Sequence, residues 1–200
     1  MRIAVLANND QLKELNTHAN QSEFYLMNTM ENIPGDMEAL LFLKDDIIFD
    51  PGLTTKPVLL NAVCFTLKEI KAKNNVVRIN GWNSFLSRDT WEIAGEISDP
   101  IEEVFSALGK HVIPVADEVG LVSARVVAMI INEAYFALED KISSKQEIDV
   151  AMKLGTNYPY GPFEWSDLIG VDKILALLEK LSVHDKRYLP AGLLKSAANP

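Results

Sequence analysis

No glycine occurs before Gly35, and the chain of 200 residues holds only ten. The first apolar run, Arg2 to Leu6, is therefore followed by Ala7-Asn8-Asn9-Asp10-Gln11-Leu12. A glycine-rich turn would let backbone close tightly and approach a phosphate at a helix N-terminus, and this turn has none. Cysteine is nearly absent too: Cys64 stands alone, which excludes a disulfide framework or a cysteine-rich metal site and fits a reducing cytoplasm. The default for Cys64 is a buried structural thiol. The three histidines, His18, His111 and His184, are far apart and share no metal-ligand spacing. His111, beside Lys110, reads as an exposed loop residue. Basic side chains are outnumbered 28 to 19, for a net charge of −9. This disfavours nucleic acid and anionic membrane as partners, while leaving room for a local polyanion site. The N-terminus lacks the apolar core and cleavage site of a signal peptide.

A hydrophobic content of 48% with 24% charged residues suits one large or two small packed domains. Short apolar runs fall at Arg2–Leu6, Glu23–Asn28, Met37–Leu43, Pro57–Val63, Val76–Ile79, Trp91–Ala94 and Val112–Val115, and each reads as a strand. Helices are expected from Asp10 to about Thr17, from Leu67 to Lys73 and from Pro100 to Leu108. Alternating strands and helices argue for an α/β domain with a mainly parallel sheet. The intervals are too short for a crossover helix each time, so a reduced Rossmann-like sheet is expected, with some strands joined by loops.

The rest is organised around Gly120 to Gly170. Leu121 to Glu139 is apolar almost all round, a helix that must be covered on most sides. Arg125, Asn132 and Glu133 interrupt it, which argues for a soluble core helix and against a membrane span. Ser144 with Glu147 three residues on is a capping box, and the helix it opens is expected to stop at Gly155. Pro159-Tyr160-Gly161-Pro162-Phe163-Glu164 then turns the chain into a short helix ending at Gly170.

The pattern Ile148-Asp149, Ala151-Met152-Lys153, Gly155, Pro159, Gly161-Pro162-Phe163-Glu164, Asp167, Gly170 resembles the C-terminal helical domain of the 3-hydroxyacyl-CoA dehydrogenases. The stretch from Ala107 to Val127 is similar to that family's crossover into the domain. The resemblance covers about Asn80 to Leu194 and sets domains at 1–116, a shortened Rossmann-like unit, and 117–200, a helical unit. It implies NAD-linked oxidation of a 3-hydroxyacyl-CoA in fatty-acid metabolism, and a homodimer paired through the helical domain. It also implies site positions: Glu92 falls on the family's orienting glutamate and Asn83 on an asparagine beside the loop. The position of the catalytic histidine is Asn80. The substrate-binding serine falls near Val63 or Cys64, and the asparagine before Arg125 is Ala124.

An amide cannot take and hold a proton near neutral pH, so Asn80 removes the general base. Together with the glycine-free turn, this makes a non-catalytic relative, a pseudoenzyme with no cofactor, the expected reading. Its role would be binding or assembly, with an acyl-CoA or small metabolite as possible ligand. A working dehydrogenase that uses NAD is the alternative. From residue type alone, Glu92 is a solvated or ion-paired strand-end carboxylate. Trp82, Trp91, Trp165, Tyr158, Tyr160 and Phe163 read as packing at the domain junction rather than a ligand platform.

Overall fold

A computed structural model describes residues 1–16, 22–30, 33–45, 49–50 and 52–199. The chain forms two compact units, Met1–Leu121 and Val122–Pro200. The division falls after Leu121 rather than at 116/117, because the intervening stretch bonds back to the first unit. Val115 N donates to Ile93 O at 2.8 Å, Gly120 N to Val63 O at 2.8 Å, and Asp117 pairs with Arg78.

The first unit is a seven-stranded sheet: β1 (Arg2–Leu6), β2 (Glu23–Leu26), β3 (Ala39–Phe42), β4 (Val58–Asn61), β5 (Val76–Ile79), β6 (Thr90–Ala94) and β7 (His111–Pro114). Its order is β2-β1-β3-β4-β5-β6-β7, and every pair is parallel except β5–β6. The middle strands are buried along their whole length, as continuous apolar runs in a parallel sheet should be. Among the described residues of this unit two helices occur, α1 (Asn9–Leu15) and α2 (Asp99–Leu108). Their Leu15, Ile101, Val104, Phe105 and Leu108 pack with Ile3, Val5, Leu41, Leu59 and Val77 on one sheet face. The opposite face, with Leu6, Leu40, Phe42 and Leu60, is covered by loop residues such as Phe49, Leu53 and Ile70. This is the reduced Rossmann-like sheet, with loops in place of crossover helices on one side.

The helix expected over Leu67–Lys73 shrinks to one turn. Thr66 and Glu69 cap it reciprocally, and Lys71 ends it at φ 52°, with Ala72 N donating back to Leu67 O at 2.9 Å. The helix expected from Asp10 ends at Leu15, and Thr17 lies outside the described residues.

The second unit holds α3 (Ser123–Glu139), α4 (Lys145–Thr156), α5 (Pro162–Ile169), α6 (Val171–Ser182) and α7 (Gly192–Ala198). α3 packs on α5, α6 and α7. Its Asn132, buried, donates to Leu189 O at 3.0 Å and accepts from Ala191 N at 2.9 Å, so the polar residue inside this apolar helix pins the chain that leads into α7. Among the described residues no helix is long and apolar enough to cross a membrane. The Ser144–Glu147 capping box is present. The C-cap of α4 is Asn157 at φ 56°, not Gly155, which lies inside the helix. Asparagine takes the left-handed conformation at low cost, so the helix runs on past the glycine.

The turn into α5 is fixed by three contacts. Asp149 of α4, buried, accepts from Phe163 N at 2.8 Å. Gly161 N donates to Glu164 at 2.9 Å, and Glu164 pairs with Lys153. A Cβ on Gly161 would stand 2.3 Å from Asp149.

Gly161→Ala is therefore expected to cost about 1–3 kcal/mol, read as a lowered urea midpoint by circular dichroism. Hydrogen bonds from Ser143 and then Ser144 hold the Glu147 carboxyl down from 4.5 to about 2. Its folded value lies below the unfolded one, so its contribution is complete above 4.5 and is lost as pH falls toward 2. Burial raises Asp149, which shifts stability the opposite way. Comparing wild type with Glu147→Gln isolates the first effect: the wild-type advantage in urea at pH 7 should vanish near pH 2.

Candidate functional site

In an open parallel sheet, ligands enter at the C-terminal strand ends where the strand order reverses. Here that point lies between β1 and β3, and Gln11 fills it. This glutamine is completely buried. Its Nε2 donates to Leu43 O at 2.7 Å and Gly81 O at 2.8 Å, and its Oε1 accepts from Asn8 N at 2.8 Å. Asn8 in turn accepts from Asp10 N at 3.0 Å and Gln11 N at 2.8 Å. Three amides of this turn, those of Asn8, Asp10 and Gln11, are thus used by the chain's own cap.

Around Gln11 the polar groups close on one another. Asn61 donates to Leu43 O at 2.7 Å and to Asp45 at 2.9 Å, and accepts from Gly81 N at 3.0 Å. Trp82 Nε1 donates to the same Asp45 oxygen at 3.0 Å. A Cβ on Gly81 would come within 2.8 Å of Asn61, so the glycine permits this close approach. A pyrophosphate fits this turn poorly: it has no glycine, the Asn8, Asp10 and Gln11 amides are bound within the cap, and Asp10 puts a carboxylate in the first helical turn.

Asn80 directly follows β5 and is buried, accepting from Trp82 N at 3.2 Å. The antiparallel register pairs Arg78 with Ala94 and Ile79 with Ile93. One step further sets Asn80 across from Glu92, which is half-buried on β6. Asn83 is half-buried as well; its Oδ1 lies inside the protein with no partner among the described residues. Asn80 and Asn83 thus lie at the β5 end and in the turn after it, and Glu92 lies on the neighbouring strand β6.

His111 is the first residue of β7, an exposed strand residue rather than a loop residue. It pairs with Thr90 while Ile113 faces Glu92. His184 is exposed after α6, and His18 lies outside the described residues. Val63 is buried, Cys64 is half-buried in the turn after β4, and Ala124 is buried in α3. Trp91 meets Phe105 edge-on and donates to Leu86 O at 3.2 Å; Trp165 packs on Tyr158 and Tyr160, and Phe163 on Tyr135. These rings are packing residues, each within its own unit.

Two buried cations escaped the reading of the sequence. Arg78 is fully buried, with Nε donating to Ala62 O at 2.9 Å and its terminal nitrogens meeting Asp117, Val63 O and Glu118 O. Burial lowers its pKa, and Asp117 opposes that shift. Lys110 donates to Leu86 O and Arg88 O at 3.0 and 2.9 Å and sits over the Trp91 ring at 5.2 Å. A charge inside an apolar run such as Val-Val-Arg-Ile was the available signal for Arg78.

The sequence profile described as 3-hydroxyacyl-CoA dehydrogenase, C-terminal domain, matches residues 120–199. The helical unit belongs to the 3-hydroxyacyl-CoA dehydrogenase family. A 3-hydroxyadipyl-CoA dehydrogenase of Escherichia coli K12 is 50% identical over 92 residues, covering 45% of this chain and 19% of its own. A 3-hydroxybutyryl-CoA dehydrogenase of Clostridioides difficile is 38% identical over 102 residues, 51% of this chain and 34% of its own. The matches thus span about a fifth to a third of these two relatives. The crystal structure of (S)-3-hydroxybutyryl-CoA dehydrogenase from Ralstonia eutropha superposes with a TM-score of 0.72 at 18% identity, over 98% of this chain and 92% of that one, a likeness of fold. That of 3-hydroxybutyryl-CoA dehydrogenase from Escherichia coli K12 gives 0.59 at 36% identity, over 70% of this chain and 31% of that one. The dehydrogenase pattern Asp149, Lys153, Gly161, Glu164 is thus, in this chain, the set of contacts that joins α4 to α5.

Gln11→Ala would strip a donor from buried carbonyls and should cost about 1–3 kcal/mol. Gln11→Glu should cost more, since it turns a buried anion toward the same oxygens. Urea titration of both variants checks the order.

Proposed function

We propose that this chain is a non-catalytic relative of the 3-hydroxyacyl-CoA dehydrogenases, with a role in binding or assembly, and that it works without NAD. The observation that carries this reading is Gln11, whose buried side chain bonds Leu43 O and Gly81 O at the strand ends where open parallel sheets take their ligands. The chemistry agrees. Residues 80 to 92 contain no histidine, and Asn80 stands across the strand pair from Glu92. Losing the general base forfeits about 10²–10⁴-fold in rate. Glu92 and Asn83 are left as hydrogen-bonding groups, for an acyl-CoA or another small metabolite.

The assembly is a homodimer formed through the helical unit, as the family resemblance implies. α3 turns Val122, Val126 and Phe136 outward, exposed at 56, 53 and 37%, with Ile130 half-buried between them. An apolar stripe of this kind is costly to leave in water and supports pairing with a second copy.

Pure protein mixed with NADH and acetoacetyl-CoA should leave the absorbance at 340 nm (roughly the nicotinamide band, whose loss reports hydride transfer) unchanged. Turnover above background would establish the working dehydrogenase instead. Sedimentation at micromolar concentration should give a dimer. Val126→Glu, on the exposed stripe, should give a folded monomer, whereas Ile130→Glu should also disturb the fold. A monomeric wild type defeats the assembly proposal.

A further inference from the structure

The turn after β5 aims three backbone amides at one carboxylate. Ser84 N donates to Glu14 Oε1 at 2.6 Å, and Leu86 N and Ser87 N reach Oε2 at 3.1 and 3.4 Å. Ser84 has φ 78°, in the left-handed region that curls neighbouring N–H groups toward a common point and makes an anion-binding concavity. Behind the amides lies the Lys110 side chain, 7% exposed, fixed by the carbonyls of Leu86 and Arg88 within the same turn. A cation buried at the back and amides at the front form a receptor for negative charge. Glu14 enters it from α1, some seventy residues away in sequence. It lies one helical turn after Gln11, which bonds Gly81 O just upstream.

We propose that residues 84–87 with Lys110 are a carboxylate-binding site and that Glu14 is its resident ligand, supplied by the chain itself. Two oxygens of one planar group satisfy all three amides, so a small carboxylate is the matching free ligand. Two of the three N–H groups of Lys110 go to carbonyls, so the match to a planar group is carried by the three amides, which between them hold two oxygens. α1 is then a strap tied to the β5 turn at two points, Gln11 and Glu14, and a carboxylate from solution competes with one of the ties. The inference stands whether or not the protein is catalytic, because it concerns amides that the dehydrogenase chemistry does not use.

The test is chemical rescue in the full chain. Glu14→Ala and Glu14→Gln are melted in sodium acetate, sodium phosphate and sodium chloride at equal ionic strength. Both variants should melt below wild type and regain about 3 °C or more in acetate, saturably, while wild type gains nothing. In ¹⁵N spectra the acetate titration should move the amides of Ser84, Leu86 and Ser87. Equal rescue by phosphate overturns the carboxylate assignment. No acetate-specific gain in either variant, or the same gain in wild type, overturns the site. If Glu14→Ala does not fold in chloride, refolding from urea in acetate replaces the melt, and failure there together with a flat Glu14→Gln response sinks the proposal.

Discussion

Buried backbone carbonyls must find donors, and in this chain that demand falls hardest at the C-terminal ends of the parallel strands. Where crossovers are helices, the helices bond their own carbonyls. Where crossovers are loops, the carbonyls at the strand ends are left over. Four side chains answer them: Gln11 and Asn61 at Leu43 O, with Gln11 also at Gly81 O; Arg78 at Ala62, Val63 and Glu118; and Lys110 at Leu86 and Arg88. Each is buried. The sheet survives the loss of its helices because long polar side chains supply N–H groups from within. Two of them, Gln11 and Asn61, do so at the strand ends where such sheets bind ligands, so one set of contacts serves the fold at the candidate site.

The helical unit is under a different constraint. Its recognisable residues join one element to the next: Asp149 meets the start of α5, Lys153 meets Glu164, and Gly161 makes room for Asp149. Changing one of them strands a charge or an amide, so the pattern is tied to the shape of the unit and not to catalysis. A dehydrogenase-like helical domain therefore says how this unit is built and leaves the chemistry of the α/β unit to be argued from its own residues.

Much of this was legible in the sequence. Val76–Ile79 and Arg2–Leu6 were bounded correctly because an apolar run between turn residues defines a buried strand. The Ser144–Glu147 box marked its helix for the same local reason. What failed was also local, but hidden in single dihedrals: Lys71 and Asn157 adopt left-handed conformations, one stopping a helix early and the other carrying a helix past its glycine. The site was legible only in outline. Asn80 and Glu92 were named, yet their adjacency depends on the one antiparallel pair in the sheet. Gln11 could not be recognised as a plug, since its partners lie 32 and 70 residues away. Arg78 and Lys110 went unread because surface charge is the ordinary state of both residue types.

Charge is divided unevenly between the two units. Residues 1–121 carry 18 acidic and 10 basic side chains, whereas residues 122–200 carry 10 and 9. Nearly all of the net charge of −9 therefore sits on the α/β unit. Two of its ten cations, Arg78 and Lys110, are buried with their hydrogen bonds turned to backbone carbonyls, and Arg78 also meets Asp117. An anionic ligand, the proposed acyl-CoA included, would approach this unit against its net charge, and that repulsion weakens as salt shortens the screening length. Steric filling by Gln11 does not change with salt. In the proposed non-catalytic reading the two effects separate, because salt changes the field and leaves the Gln11 contacts as they are.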